Sequence, residues 1–455
     1  MLIRFIVNNL YSFGEEKEFN MLPAPRLSRL KEHKYTINNF EILKLASIYG
    51  ANGAGKSNLI KALSILQDIV VKEKVKASFS NKKYKFHNED EIVQTLIVEF
   101  IQDDYAYLYG LEIIDNTIIT EELYESSLGQ GDDKLLFERK TDKETKTSTL
   151  NTELLNDTEG KVLKNVIVKN LIKHNEPILK LLTTLDNEQL NNLQIPLKWF
   201  EETLQIISPH SKFKTLAHKI DRDGTFKDYV NDLMKSFHIG INNIKTEKVN
   251  IQDLHDTDVD QKFIDKIQSE FNDPETNMIG FASKSGKNQL VVTREDDEIY
   301  IKELLIEHIG KNGKVVEFDL EEESDGTARL LDFAPAFKQI IDDNRVFIID
   351  EIERSIHPLL IKELVQKFSF DNKTKGQLIF TTHESNLLDQ DIFRQDEIWF
   401  AEKDMNGTTD LYPLSDFKVH NTIDIRKGYL NGRYGSIPFL GNLKDLNWHH
   451  YDTEK

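Results

Sequence analysis

At 455 residues, 39% hydrophobic and 30% charged, the chain can bury a large core and has the balance of a globular protein of one to three domains. A net charge of −19 excludes a surface that coats nucleic acid indiscriminately but leaves room for a local basic groove. Zero cysteines exclude disulfides, thiolate metal sites and cysteine nucleophiles. With no signal-peptide pattern and no apolar run of bilayer length, a cytoplasmic protein without a membrane span is expected. The 13 histidines show no metal-ligand spacing, and His449-His450 reads as a solvated tail.

Residues 2–7 (LIRFIV) alternate as a strand does, and Asn8-Asn9 with Tyr11-Ser-Phe-Gly14 turn it toward another extended piece. Residues 21–40 are polar, contain two prolines and read as a loop. A short apolar strand, 45–49 (LASIY), then leads into Gly50-Ala-Asn-Gly-Ala-Gly55-Lys56-Ser57, and a helical pattern follows at Leu59, Ile60, Leu63 and Leu66. Strand, glycine loop and helix with G-x-x-x-x-G-K-[ST] spacing are the parts a nucleoside triphosphate site needs. Gly50, Gly53 and Gly55 let successive backbone N–H groups turn inward around phosphate oxygens, and the helix adds its positive end. The candidate nucleotide-binding residues here are Gly50, Asn52, Gly53, Ala54, Gly55, Lys56, Ser57 and Asn58. Lys56 can reach the β- and γ-phosphates, and the Ser57 hydroxyl can ligate Mg²⁺.

The lysine-rich stretch 72–85 reads as a solvated face, with a nucleic-acid contact as the alternative. From 95 to 140 the period changes to two, and the runs are broken at Asp103-Asp104, Asp115-Asn116 and Gly129-Gln-Gly131, which predicts an antiparallel meander. Asp103-Asp104 reads as a soluble hairpin tip rather than a metal site. Helical spacing dominates 150–275, as in Leu163, Val166, Ile167 and Leu171, without sustained heptads. Strand patterns return at 289–294, 299–305 and 315–320. The expected division is therefore 1–149 and 281–455 as two halves of one nucleotide-binding core, with 150–280 as a helical insertion.

Residues 345–351 (RVFIIDE) are an apolar strand ending in two acids, a Walker B pattern. Such a strand delivers Asp350 to the Mg²⁺ region, and Glu351 is placed to orient or deprotonate water. The next buried-looking strand, 377–382 (QLIFTT), ends at His383, which reads as a γ-phosphate sensor. Between the halves lies 321–331 (EEESDGTARLL), where Ser324 has N-cap chemistry, Gly326 allows close backbone approach, and an apolar helical face follows.

This set of motifs, together with 353–358, resembles the ABC-type ATPase core of structural-maintenance-of-chromosomes (SMC) proteins and related DNA-repair ATPases. More narrowly, the opening LIRFIVNNLYSFGE, the Ser324-Asp-Gly-Thr327 signature and the tail from Gly428 to Pro438 resemble the prokaryotic AAA-type group of RloA, AbiL and the overcoming-lysogenization-defect (OLD) nucleases. The resemblance implies an α/β fold: an ABC-type P-loop ATPase core of mixed sheet flanked by helices, with an antiparallel β subdomain and a helical insertion. It implies ATP and Mg²⁺ as ligands, with Ser57 and Asp350 holding the metal, Glu351 and His383 catalytic, and 353–357 as a D-loop. Ser324 and Gly326 of one copy would complete the site of another, giving a homodimer or higher oligomer through an ATP sandwich. Gln94 is the candidate Q-loop residue.

The group further implies a sensor or scaffold ATPase of an anti-phage system that controls a separate effector, a Toprim or RloB-like nuclease. About 70 residues follow His383, too few for a nuclease domain of usual size. A DNA-repair or chromosome-associated ATPase that binds nucleic acid is the alternative. A transporter subunit is disfavoured by the absent Gly-Gly-Gln signature.

Overall fold

The computed structural model describes residues 1–87, 92–209, 211, 216–251, 261–273, 276–282, 289–296, 298–420 and 422–437; Pro438 and His449-His450 lie outside them. The fold is mixed α/β, built on three sheets of six, seven and five strands and a two-stranded hairpin.

The six-stranded sheet carries the motifs. Its order is Leu204–Ile207, Val346–Ile349, Gln377–Thr381, Leu45–Tyr49, Ile398–Lys403, Thr409–Pro413, parallel throughout except for the last pair. Every residue of Leu45–Tyr49, Val346–Ile349 and Gln377–Thr381 is buried. Their side chains alternate between two cores. Ala46, Ile48, Val346, Ile348 and Ile379 face the helix Lys56–Val71 and the antiparallel sheet, while Leu45, Tyr49, Phe347, Ile349, Leu378 and Phe380 face the helices Asp325–Asp342 and Pro358–Phe370. Strands covered on both faces read as continuous apolar runs, which is why these three are so legible.

The seven-stranded sheet is antiparallel, running from Ser148–Asn151 through Lys134–Thr141, Thr117–Glu125, Tyr105–Ile114, Gln94–Gln102 and Leu2–Asn8 to Lys17–Asn20. The meander thus forms where the period of two predicts it, and the first strand joins it. Asp103 and Asp104 sit at a tight turn with φ of +48° and +67°, the paired left-handed conformation that matches strand twist and that aspartate tolerates.

Two stretches differ from the sequence expectation. Residues 21–40 hold most of a hairpin, Lys34–Ile37 against Phe40–Leu43, turned at Asn38-Asn39 with φ of +50° and +66°. Its polar outer face hides it in composition, and only the Asn-Asn pair marks the turn. Residues 150–280 are mixed rather than helical. Between short helices run Leu204–Ile207, parallel to the Walker B strand, and Ile241–Asn250, paired along Glu298–Ile309 in the five-stranded sheet. Four residues are too few to show a period, and Ile241–Asn250 has mostly half-buried polar positions. No helix among the described residues is long and apolar enough to cross a membrane.

Ile348 and Ile349, 3% and 1% exposed, fill the two cores from neighbouring positions, whereas Val316 on an outer strand is 39% exposed. Ile348→Ala and Ile349→Ala should each cost about 2–5 kcal/mol, against about 0.5 kcal/mol or less for Val316→Ala. Urea unfolding midpoints compare the three directly; equal loss in all of them contradicts the two-faced core.

Candidate functional site

Parallel register brings the strand ends together. Ile48 pairs with Thr381, and Ile349 with Phe380, so Gly50, Asp350 and Thr382 emerge at the same edge of the sheet. In open parallel sheets that edge is where ligands gather.

The glycine loop between the strand Leu45–Tyr49 and its helix is shaped by close approaches. At Gly50 a Cβ would run into the Ala401 carbonyl, and at Gly55 (φ +112°) into the Thr409 hydroxyl. Gly55 caps the helix Lys56–Val71 in the left-handed conformation with no side-chain hydrogen bond, and the first turn has no acidic residue. Other helices here are capped by their own side chains, Asp157, Asp223, Ser324 and Asp424 among them. Among the described residues no side chain caps this helix end, which is the condition for binding an anion there. Asn52 and Gly53 are exposed at the loop tip, while Ala54, Gly55 and Lys56 are buried.

The Lys56 ammonium folds back on the loop, donating to the Gly50 carbonyl at 2.7 Å and the Ala51 carbonyl at 3.1 Å, with His383 Nδ1 at 3.5 Å. Burial pushes Lys56 down to about 8, opposed by the nearby carboxylates of Glu353, Asp350 and Glu351. His383 keeps solvent access, yet partial desolvation and the Lys56 charge hold its imidazole below the usual value.

Ser57 Oγ donates to Asp350 Oδ1 at 3.0 Å, and Thr381 Oγ1 donates to the same oxygen at 2.6 Å. The Thr381 hydroxyl also accepts the Glu351 backbone N–H at 2.8 Å. Glu351 has φ +53°. That conformation costs a non-glycine residue about 1–2 kcal/mol, of the order of one or two net hydrogen bonds. Thr381 thus fixes both acids. A hard hydroxyl and a hard carboxylate side by side are a donor set that suits Mg²⁺, with further positions left for water and phosphate.

Asn58 donates from Nδ2 to Ser12 Oγ at 2.8 Å, and Thr409 Oγ1 lies 2.7 Å from Ser12 Oγ and 2.9 Å from the Ala54 carbonyl. These contacts tie the opening hairpin and the far edge strand to the phosphate loop. Beside them is a cavity of about 330 Å³, lined by Tyr11, Ser12, Asn58, Lys83, Phe86 and Lys403 among others. Lys82, Lys83 and Lys85 line this cavity, while Lys72, Lys74 and Lys76 are exposed, as a solvated face is.

Ser324 and Gly326 are not brought to the phosphate loop within the chain. The Ser324 hydroxyl accepts the Thr327 N–H at 3.1 Å, capping Asp325–Asp342, and Gly326 packs so that a Cβ would stand 2.6 Å from the Ser355 carbonyl. Gln94 starts a strand of the antiparallel sheet, and no hydrogen bond joins it to Lys56, Ser57 or Asp350. Sequence reasoning did not pick out Thr381, Ser12 or Thr409. The one available signal was a hydroxyl at the tip of an otherwise apolar strand, at 381. Glu353 reads from sequence only as the start of a D-loop; in the fold its Oε1 accepts the His383 N–H at 2.7 Å.

No curated protein matches the chain. Solved structures similar to it include the SMC head domain from Thermotoga maritima, at 11% identity over 90% of this chain and 98% of that one, with a TM-score of 0.35. An SMC head bound to the C-terminal winged-helix domain of ScpA matches at 11% identity over 90% and 97%, with a TM-score of 0.41. An SMC head with an extended coiled coil, bound to the C-terminal domain of ScpA from Pyrococcus furiosus, matches at 11% over 95% and 98%, with a TM-score of 0.38. The model of the family described as "AAA domain, putative AbiEii toxin, Type IV TA system" covers residues 45–389, from the strand before the phosphate loop to just past His383, and the chain belongs to that family.

Proposed function

We propose that this chain is a Mg²⁺-dependent ATP hydrolase whose site is completed by a second copy, serving as sensor or scaffold of an anti-phage system with a separate effector nuclease. The observation that carries the hydrolase reading is the Ser57–Asp350 contact directly beneath an uncapped helix end. Backbone N–H groups of the loop bind the phosphates, and Lys56 exchanges its own loop carbonyls for phosphate oxygens. Ser57 and Asp350 would hold Mg²⁺, which supplies positive charge against that developing on the transferred phosphoryl group. Glu351 takes the proton of the attacking water, and His383 contacts the γ-phosphate. The cavity lined by Tyr11 and Phe86 would take the base against an aromatic ring. Ser324 and Gly326 act on the partner's nucleotide; within its own chain the Gly326 backbone packs on the Ser355 carbonyl. The defence role is supported by the family to which the chain belongs and by the signature and tail motifs; it rests on likeness, not on geometry.

A second reading, an ATPase driven by nucleic acid, draws on Lys82, Lys83, Lys85 and Lys403 gathered around that cavity beside Tyr11 and Phe86. Duplex DNA should then stimulate turnover in a steeply salt-dependent way; turnover indifferent to DNA removes it.

Lys56→Ala should abolish ATP affinity and turnover together, because lysine and loop act on the same phosphates; near-normal binding, read by equilibrium titration, contradicts the phosphate-loop assignment. Glu351→Gln keeps the shape but cannot take a proton, so turnover should fall by roughly two to four orders of magnitude while ATP stays bound and oligomer mass rises with ATP. Glu351→Gln hydrolysing like wild type would remove Glu351 as the base. Ser324→Arg should bind ATP yet hydrolyse poorly, and mixing it with Glu351→Gln should restore part of the activity through dimers holding one intact site. Absence of recovery where heterodimers form argues for a site completed within one chain.

A further inference from the structure

Glu353 stands two residues beyond the catalytic carboxylate proposed above, and its surroundings do not fit a surface acid. Its Oε1 accepts the backbone N–H of His383 at 2.7 Å, across 30 residues of sequence. Its Oε2 is shielded from water and takes no hydrogen bond among the described residues. An acid whose second oxygen is shielded without a donor is costly to keep. Here that cost is met beside Lys56, on which Glu353 acts more strongly than Asp350 or Glu351.

The geometry around the N–H explains what the carboxylate does. His383 lies just past the end of the strand Gln377–Thr381, after Thr382 has made the last backbone link to the phosphate-loop strand through the Ile48 carbonyl. Beyond that point the sheet no longer dictates direction. Glu384 then donates its backbone N–H to Thr382 Oγ1 at 3.0 Å, and its carboxylate caps the short helix Ser385–Leu387 through the Asn386 N–H at 2.8 Å. Between the two, the His383 backbone is held by Glu353, and His383 Nδ1 comes 3.5 Å from the Lys56 ammonium.

We propose that Glu353 is the positioning residue for His383: its carboxylate straps the His383 backbone so that the imidazole faces Lys56 and the γ-phosphate seat. The proposal rests on the hydrolase reading for its kinetic consequence, but the strap itself is a property of the folded chain. Misplacing a group that must contact the reacting phosphate by about 1 Å can cost on the order of 10²-fold. The amide of glutamine retains an oxygen that accepts the same N–H, so the two substitutions at this position separate.

The test compares wild type, Glu353→Gln, Glu353→Ala, His383→Ala and the double variant Glu353→Ala/His383→Ala in ATP turnover, and follows amide hydrogen exchange at 382–384 without nucleotide. Glu353→Ala should lower kcat by about tenfold to 10²-fold with KM changed by less than about threefold, and Glu353→Gln should stay near wild type. If Glu353 acts through His383, the double variant is no slower than His383→Ala alone. The His383 amide should exchange at least about tenfold faster in Glu353→Ala and at the wild-type rate in Glu353→Gln, while amides of Val346–Ile349 keep their protection. Unchanged exchange in Glu353→Ala, or multiplied losses in the double variant, overturns the proposal. Absence of ATP turnover in wild type overturns the hydrolase reading, and amide exchange then decides the strap by itself.

Discussion

The site depends on one constraint, the parallel register of three strands buried on both faces. Ile48 opposite Thr381 and Phe380 opposite Ile349 set Asp350 beside Thr381, within reach of Ser57 at the start of the next helix. Side chains alternate with a period of two, so a slip by one residue would send Thr381 to the opposite face and bury its hydroxyl without Asp350. The two hydrophobic cores forbid that slip, since it would also exchange Ile348 for Ile349 between them. Packing on both faces thus fixes a polar geometry it does not itself touch.

That polar geometry concentrates charge at one strand edge. Lys56 is buried and satisfied by its own loop carbonyls, with its pKa lowered to about 8. The helix end beside it has neither a capping side chain nor an acid in its first turn. Three carboxylates, Asp350, Glu351 and Glu353, converge on the same ammonium. In the proposed reading, a polyanion with its cation would answer both sides at once: the phosphates would take the place of the loop carbonyls on Lys56, and the cation would answer Asp350. Gly50 and Gly55 keep this arrangement possible because the Ala401 carbonyl and the Thr409 hydroxyl stand where a Cβ would be.

Local chemistry explains what could be read from the sequence. The phosphate loop, the Walker B strand and the capped signature helix each place their decisive residues within one short run, and buried strands announce themselves as apolar runs. The meander was equally legible because its period and its Asp103-Asp104 and Asp115-Asn116 turns agree. Residues that act across sequence were not. Thr381 matters only because register sets it next to Asp350, and Glu353 only because its loop turns back onto His383. The strand Leu204–Ile207 was hidden among helical spacing, although Ile207 receives the Asp350 N–H at 2.9 Å and so closes the Walker B end. The Lys34–Ile37 hairpin was hidden by polarity. In each case the missing information was a partner at least 30 residues away or a turn of a few residues.

The loop 351–356 is where these distant partners meet. Glu351 and Ser355 both have positive φ, +53° and +63°, in residues that do not favour it. Each departure has an anchor outside the loop: the Glu351 N–H on Thr381, the Glu353 carboxylate on His383, and the Ser355 carbonyl under Gly326 at the signature turn. Strain of about 1–3 kcal/mol per residue persists only where the surroundings over-determine the backbone, and here three separate elements do so. If a second copy completes the site as proposed, its pressure on the signature turn would act first on Ser355, two residues from Glu353. The surface a partner would touch and the histidine that would face the γ-phosphate are therefore set by the same few backbone angles. If assembly acts through this loop, it need not move the sheet, whose register is held by cores on both of its faces.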